Sequence, residues 1–242
     1  MSNKILIIMP VYNKEKYLGK AIESVLNQTH DNLSLSIIDD CSSDSSYSIA
    51  KKYKKQDSRI SLYKNSKNSG CYYSRNRGLF ENLDDDWNFF TIHDSDDTSD
   101  PDRINVCLRP FADSNLLGLK TTYTRCDAKG KPELIKGTKN IDTYASEGIA
   151  IFRRFVFDEL SFFDDTRFAG DTDYWWRLKF FCIRNPRYKA ISHLKPMYQA
   201  LSNQSNLTKI YSDRNAYYTK CHKEIKNMLF SNNFKRDFTF CE

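Results

Sequence analysis

Strand and helix signals alternate through the first 100 residues, and that alternation constrains the fold more than any other feature of the chain. Ile5-Leu6-Ile7-Ile8-Met9 is an unbroken apolar run that stops at Pro10, the pattern of a parallel strand covered on both faces. Asn13 follows as the expected N-cap of a helix in which Tyr17, Leu18, Ala21, Ile22, Val25 and Leu26 recur with helical period. Leu33 to Ile38 reads as a second strand ending in Asp39-Asp40, Ser43 to Lys54 as a second helix and Ile60 to Tyr63 as a third strand. Gly70 to Leu83 is a third helix, and Asn88 to Ile92 a fourth strand that stops just short of Asp94. The order predicts a doubly wound, mostly parallel α/β sheet. Ligands of such sheets collect at the carboxyl ends of the strands. Pro10-Val11-Tyr12-Asn13, Asp39-Asp40 and Asp94 to Asp97 all fall there, so three strand ends point to one crevice.

Beyond residue 100 the pattern is less regular. Arg103 to Phe111 is expected as a helix behind Pro101, Leu117 to Thr124 as a strand, and Asp127 to Asn140 as a polar loop. Ile149 to Phe152 reads as a short strand, Phe155 to Leu160 as a short helix, Asp171 to Ile183 as an amphipathic helix and Tyr198 to Leu201 as a strand. A last helix is expected over Ser212 to Phe230. No repeat, low-complexity tract or linker divides the chain, which reads as a single domain over 1–242.

The densest chemical signal is His93-Asp94-Ser95-Asp96-Asp97. Three carboxylates within four residues raise each other's pKa unless a cation sits among them. A hard divalent ion held by one or two carboxylates and by phosphate oxygens is the usual answer for Mg²⁺ or Mn²⁺. Such an ion neutralises the charge on a departing diphosphate. The bland alternative is a solvated acidic loop capping the next helix.

Several segments together resemble the family 2 glycosyltransferases, inverting enzymes of the GT-A fold. They are Ile8-Met9-Pro10-Val11-Tyr12-Asn13, Ile37 to Asp44, Asn68-Ser69-Gly70 with Ser74-Arg75-Asn76 and Gly78, and Asp94 to Asp97 with Pro101 and Arg103. The likeness continues through Ile151 to Arg154, Phe163-Asp164 and Gly170-Asp171-Thr172-Asp173-Tyr174-Trp175-Trp176-Arg177, in the order the family shows. The resemblance implies a GT-A-type, Rossmann-like doubly wound sheet with a smaller acceptor-side region. It divides the domain into a nucleotide-binding half over 1–100, an acceptor half over 101–210 and a helical tail over 211–242. It implies transfer of a sugar from a nucleotide diphosphate, UDP by preference, to a hydroxyl of a glycan or lipid-linked glycan. The setting it implies is bacterial capsule, lipopolysaccharide or another surface polysaccharide.

By position, the resemblance puts Pro10 and Tyr12 against the base or ribose and lets Asp40 accept a hydrogen bond from the base. Arg75, Asp94 and Ser95 fall to the donor's ribose and phosphates, and Asp96, helped by Asp97, to Mn²⁺ or Mg²⁺. Asp171 matches the general base that takes the acceptor's proton. Inversion gives this role independent sense, because one in-line displacement needs a carboxylate facing the diphosphate across the anomeric carbon. At the start of a helix an ionised Asp171 is also favoured by the helix dipole, though a plain N-cap would look the same. Asp173 is the competing base, and of Trp175 and Trp176 one is expected in the core and one on the acceptor side. The chain departs from the family in having Gly170-Asp171 where Glu-Asp is common. It also offers no histidine at Gln199-Ala200-Leu201, which leaves a third protein ligand to the metal without a candidate.

A net charge of +6 favours anionic partners, but the Lys and Arg residues are scattered and form no nucleic-acid module. Seven cysteines without a CxxC pair fit reduced thiols of a cytoplasmic protein, not a disulfide framework or zinc site. Neither a signal peptide nor a membrane span is legible. The basic, aromatic segment Ser212 to Phe240 is expected to pack on the domain, or otherwise to touch anionic lipid at the membrane's inner face. Three rivals remain. One is a non-catalytic domain that binds a sugar nucleotide; another is a pyrophosphorylase, whose glycine-rich loop is absent. The third is a haloacid-dehalogenase-type phosphatase, whose D-x-D-x-T pattern Asp94-Ser95-Asp96-Asp97-Thr98 spells at the wrong place in the chain.

Overall fold

In the computed structural model, residues 3–127, 129, 131–133, 144–166, 169–201, 235 and 238 are described. The apolar run forms β1 (Ile5–Val11), buried at every residue because helices cover both of its faces. It pairs in parallel with β2 (Leu33–Asp39) and β4 (Phe89–Ile92), and β2 pairs in parallel with β3 (Ile60–Lys64). Between them run α1 (Leu18–Leu26), α2 (Ser46–Gln56) and α3 (Cys71–Phe80). The second half contributes β5 (Thr98–Ser99), α4 (Arg103–Leu108) followed by a 3₁₀ turn at Arg109–Ala112, β6 (Leu116–Cys126), β7 (Tyr144–Arg153), α5 (Arg154–Leu160), α6 (Gly170–Arg184) and β8 (Lys189–Leu201). All eight strands join one sheet, in the order β3-β2-β1-β4-β7-β6-β8-β5. Strand β7 runs antiparallel to both β4 and β6, which lets the second half continue the sheet of the first.

The period of two in β1 sorts the core into two layers. Ile5, Ile7 and Met9 pack with Leu18, Ala21, Ile22 and Val25 of α1 on one face. Leu6 and Ile8 pack with Ile38, Phe90, Ile92, Tyr174 and Leu178 on the other. Register aligns the strand ends: Val11 sits opposite Asp39, and Ile8 opposite Ile92. The polar segments that follow therefore emerge side by side at one edge of the sheet.

Several boundaries differ from the sequence expectation. Asn13 does not cap α1; it takes a left-handed φ of 51° and its Oδ1 accepts the Ser43 N–H at 2.9 Å, tying the β1 and β2 ends together. The helix begins five residues later, at Leu18. Strands β7 and β8 start well before Ile149 and Tyr198, because pairing with β6 extends them through residues with no apolar alternation. The short β5 is set by its antiparallel pairing of Thr98 with Gln199. Most of the Asp127 to Asn140 loop and the expected helix over Ser212 to Phe230 lie outside the described residues. Phe238, in the same tail, packs its ring 5.3 Å from Tyr73 and 5.1 Å from Phe162.

Gly78 sets how closely α3 approaches the sheet. A Cβ there would lie 2.5 Å from Ile8 Cγ2 and 3.0 Å from Ile38 Cδ1. Both neighbours are branched core side chains with little room to move. Gly78→Ala is therefore expected to lower the free energy of unfolding by about 1–3 kcal/mol, outweighing alanine's better helix propensity. Urea denaturation followed by circular dichroism measures it, and a neutral or stabilising result would mean that α3 is free to shift.

Candidate active site

The turn before α3 is built on Asp40. Its Oδ1 accepts hydrogen bonds from Asn65 Nδ2 at 2.7 Å and from the Ser69 N–H at 2.9 Å, and its Oδ2 accepts from the Gly70 N–H at 2.8 Å. Gly70 has φ 100°, a conformation that favours glycine, so the chain can turn sharply into α3. Asp40 is thus buried and braces the loop, and of a carboxylate's roughly four lone-pair sites one remains on Oδ2. Pro10 is buried near the end of β1, while Tyr12, just beyond the strand, is 46% exposed.

Helix α3 then presents Arg75 and Tyr72, three residues apart on one face. Arg75 is only 5% exposed, yet its Nη2 donates to Asp94 Oδ1 at 3.2 Å, and its guanidinium lies 4.7 Å from the Tyr72 ring centroid. Burial works against the charge, but Tyr72, Asp94, Cys71 and Asp171 around it outweigh burial and hold Arg75 protonated above its ordinary value. Its Nε and Nη1, also buried, have no hydrogen-bond partner among the described residues. Two buried guanidinium nitrogens without a protein partner are an exception that an anion at the site would account for.

The acidic loop follows β4. Asp94 is enclosed by protein but keeps 44% of its side-chain surface open, as the wall of a crevice would. Burial pushes its carboxyl above the usual range, Arg75 opposes that, and Asp96 and Asp171 add to it. Ser95 is buried. Asp96 Oδ2 accepts the Lys14 ammonium at 2.6 Å, a contact in which both side chains are largely buried. Asp97 is also buried; its Oδ1 accepts the Leu201 N–H at 2.7 Å, and the Tyr198 side chain bonds it as well. Burial, then the charges of Asp96 and Asp94, lift the Asp97 carboxyl well above its ordinary range. The Asp94 N–H donates to the Tyr198 hydroxyl at 3.0 Å, so β8 holds this loop at two points.

Across the crevice, Asp171 occupies the first turn of α6. Its Oδ1 accepts from the Tyr72 hydroxyl at 2.7 Å and from the Thr172 N–H at 3.0 Å. A path of two hydrogen bonds and one cation–π contact therefore runs from Asp94 on the acidic loop to Arg75, from its guanidinium to the Tyr72 ring, and from the Tyr72 hydroxyl to Asp171 on α6. Asp173 does not belong to this site. It is buried and its Oδ2 accepts from Arg177 Nε at 2.8 Å, an ion pair closed to solvent, because at this point the helix turns that face into the core. Trp175 is likewise core, 6.1 Å from the Phe152 ring, and Trp176 is the half-buried one, 6.0 Å from Phe180.

Three site residues were not among the sequence candidates. Lys14 looks like any exposed lysine after a strand, and nothing local marks its reach to Asp96. Tyr72 carried a usable signal, a tyrosine three residues before Arg75 on the same helix face. Tyr198 was legible only as a strand residue. Among the described residues no group of three or more His, Cys, Asp or Glu side chains is arranged to hold a metal. The oxygen-only donor set, the crowding of Asp94, Asp96 and Asp97, and the ammonium already drawn onto Asp96 nonetheless fit a hard cation that takes its remaining ligands from phosphate.

An open sheet with a parallel nucleotide-type half, an acidic loop after β4 and an antiparallel continuation is the GT-A arrangement. The chain is similar to *Staphylococcus aureus* TarS 1–349 in complex with UDP-GlcNAc, with a TM-score of 0.71 at 18% identity over 92% of this chain and 65% of that one. It is also similar to the mannosyltransferase PcManGT from *Pyrobaculum calidifontis* in complex with GDP-Man and Mn²⁺, with a TM-score of 0.62 at 13% identity over 95% of this chain and 63% of the other. The sequence pattern of Glycosyl transferase family 2 matches residues 6–161, and the chain belongs to that family. It is 30% identical, over 93% of its length, to the minor teichoic acid biosynthesis protein GgaA of *Bacillus subtilis*, of which it covers 52%. An uncharacterized glycosyltransferase of *Haemophilus influenzae* is 37% identical over 57% of this chain and 54% of the relative. The chain thus spans about half the length of these curated relatives. Family membership leaves the phosphatase and pyrophosphorylase readings without support.

His93, just before the acidic loop, is a structural residue. It is fully buried, donates from Nδ1 to the Asp94 carbonyl at 2.9 Å and lies 5.0 Å from the Tyr198 ring. Burial, helped by the charge of Arg103, pushes its pKa down to about 3 from an ordinary 6.5. The unfolded chain therefore binds a proton at His93 below 6.5 that the folded chain refuses. Stability contributed by the neutral ring is full above that value and is lost as pH falls toward 3, by at most about 1.4 kcal/mol per pH unit. Replacing it, as His93→Gln, should flatten this stretch of the pH–stability curve in urea titrations; a curve parallel to wild type would contradict the assignment.

Proposed function

We propose that this chain catalyses metal-dependent, inverting transfer of a sugar from a nucleoside diphosphate, UDP by preference, to a hydroxyl of a glycan or lipid-linked glycan. The observation that carries the reading is Arg75, a buried guanidinium with two unpartnered N–H donors between the acidic loop and Asp171. In this reading Tyr12 stacks on the base, Pro10 and Asp40 shape its seat, and Asp94 and Ser95 border the ribose. The free donors of Arg75 take the diphosphate oxygens. Asp96, with the buried carboxyl of Asp97 behind it, would hold Mn²⁺ or Mg²⁺, which when bound would neutralise charge on the leaving diphosphate. Asp171 accepts the proton of the acceptor hydroxyl as the oxygen attacks the anomeric carbon from the opposite side. Trp176 is the better placed of the two indoles to meet the acceptor.

The setting that fits best is the cytoplasmic side of a bacterial surface-polysaccharide pathway, supported by the relationship to GgaA. No helix among the described residues is long and apolar enough to cross a membrane. Phe238 packs on Tyr73 and Phe162, which for that residue favours contact with the domain over contact with lipid.

Asp96→Asn is expected to weaken UDP binding in the presence of Mn²⁺ and to abolish transfer. Asp171→Asn is expected to keep UDP–Mn²⁺ affinity and lose about 10²–10⁴-fold in turnover. Calorimetry with UDP and Mn²⁺, beside UDP release from a panel of UDP-sugars, reads both. Wild-type binding and turnover in the Asp96 variant would remove the metal assignment. Tight UDP binding with no turnover of any sugar by the wild-type protein would point instead to a non-catalytic binding domain.

A further inference from the structure

Two glycines and one tyrosine surround Asp171 in a way that the transfer reaction alone does not explain. Tyr72 is buried, and its hydroxyl and the Thr172 N–H both donate to the same carboxylate oxygen, Oδ1. On the other side a Cβ at Gly148, in β7, would lie 2.8 Å from Asp171 Oδ2. At position 170 a Cβ would meet the Tyr72 ring at 2.7, 2.9 and 3.0 Å. The ring thus lies directly on the backbone of Gly170, and the second carboxylate oxygen faces the bare backbone of Gly148.

We infer that Tyr72 is the positioning residue of the base, holding Asp171 Oδ1 so that Oδ2 is presented to the acceptor, and that Gly170 and Gly148 are the two openings that admit this pair. The inference rests on the proposal that Asp171 is the base. A carboxylate on a single rotatable stem otherwise swings between rotamers. Two donors on one oxygen fix both its plane and which oxygen is left over, the kind of support that precise proton transfer requires.

Tyr72→Phe keeps the ring on Gly170 and removes only the hydroxyl. With UDP release from the most active UDP-sugar of a panel as the assay, kcat should fall by about 10- to 100-fold, the effect of losing one hydrogen bond to a charged group. KM for the sugar nucleotide and UDP–Mn²⁺ affinity should stay unchanged. Gly170→Ala should act through the same contact. The added Cβ must displace the buried ring, so kcat should fall, and the accompanying loss of stability is read separately by urea denaturation. Combined with Tyr72→Phe, Gly170→Ala should cost little more than either alone. A crystal structure of the Tyr72→Phe protein should show the Asp171 carboxylate turned from its place, a readout independent of turnover. An unmoved carboxylate, or wild-type kcat in Tyr72→Phe, would overturn the inference. If Asp171→Asn abolishes transfer while Tyr72→Phe is silent, only the role of Tyr72 falls. If Asp171→Asn retains transfer, the base assignment falls and takes this inference with it.

Discussion

The site depends on a buried positive charge, that of Arg75. An ion removed from water is costly unless charges and hydrogen bonds of the fold replace the solvent. Here Asp94 supplies a direct partner, the Tyr72 ring a π face, and Asp171 a more distant negative charge. The same residues lie on opposite walls of the crevice, so the requirement to stabilise one guanidinium fixes their relative positions. Arg75 thus has Asp94 as its direct partner, while its buried Nε and Nη1 have none among the described residues.

Helix α3 can carry such a charge because its other buried polar groups are matched one by one. Asn76 exchanges hydrogen bonds with the backbone of Phe163, donating at 3.0 Å and accepting at 2.9 Å, which ties the helix to the segment before α6. Ser74 accepts from Asn65, which also donates to Asp40. Gly78 lets the whole helix lie against Ile8 and Ile38. The helix therefore links the loop after β2 to the start of α6, and the two halves of the domain meet along it. The acidic loop is held in a comparable way from both sides, by Lys14 after β1 and by Tyr198 and the Leu201 N–H of β8.

Much of this was legible before any coordinates. The unbroken apolar run of β1 and the polar residues at three strand ends gave the parallel half, because burial on two faces and ligand contact at one edge leave direct marks on composition. What pairs with what at long range leaves none. The extension of β7 and β8 comes from register with β6, and the Lys14–Asp96 pair from loops 82 residues apart. Asn13 has the residue type of an N-cap but is used to join two loops. Asp173 failed as a candidate for a related reason: a carboxylate near Asp171 in sequence faces the opposite side of the helix, where Arg177 closes it off.

The departure at position 170 ties the sequence and the site together. Where the family commonly has Glu-Asp, this chain has Gly170-Asp171. The structure gives the substitution a steric reason, since the space above Gly170 is filled by the Tyr72 ring, whose nearest carbon would stand 2.7 Å from any Cβ there. A glutamate at 170 and a tyrosine at 72 in this pose exclude each other. The two residues are far apart in sequence but form one solution to one problem, the orientation of a carboxylate at the start of a helix. A missing side chain at position 170 thus leaves the room that the Tyr72 ring takes when its hydroxyl bonds Asp171.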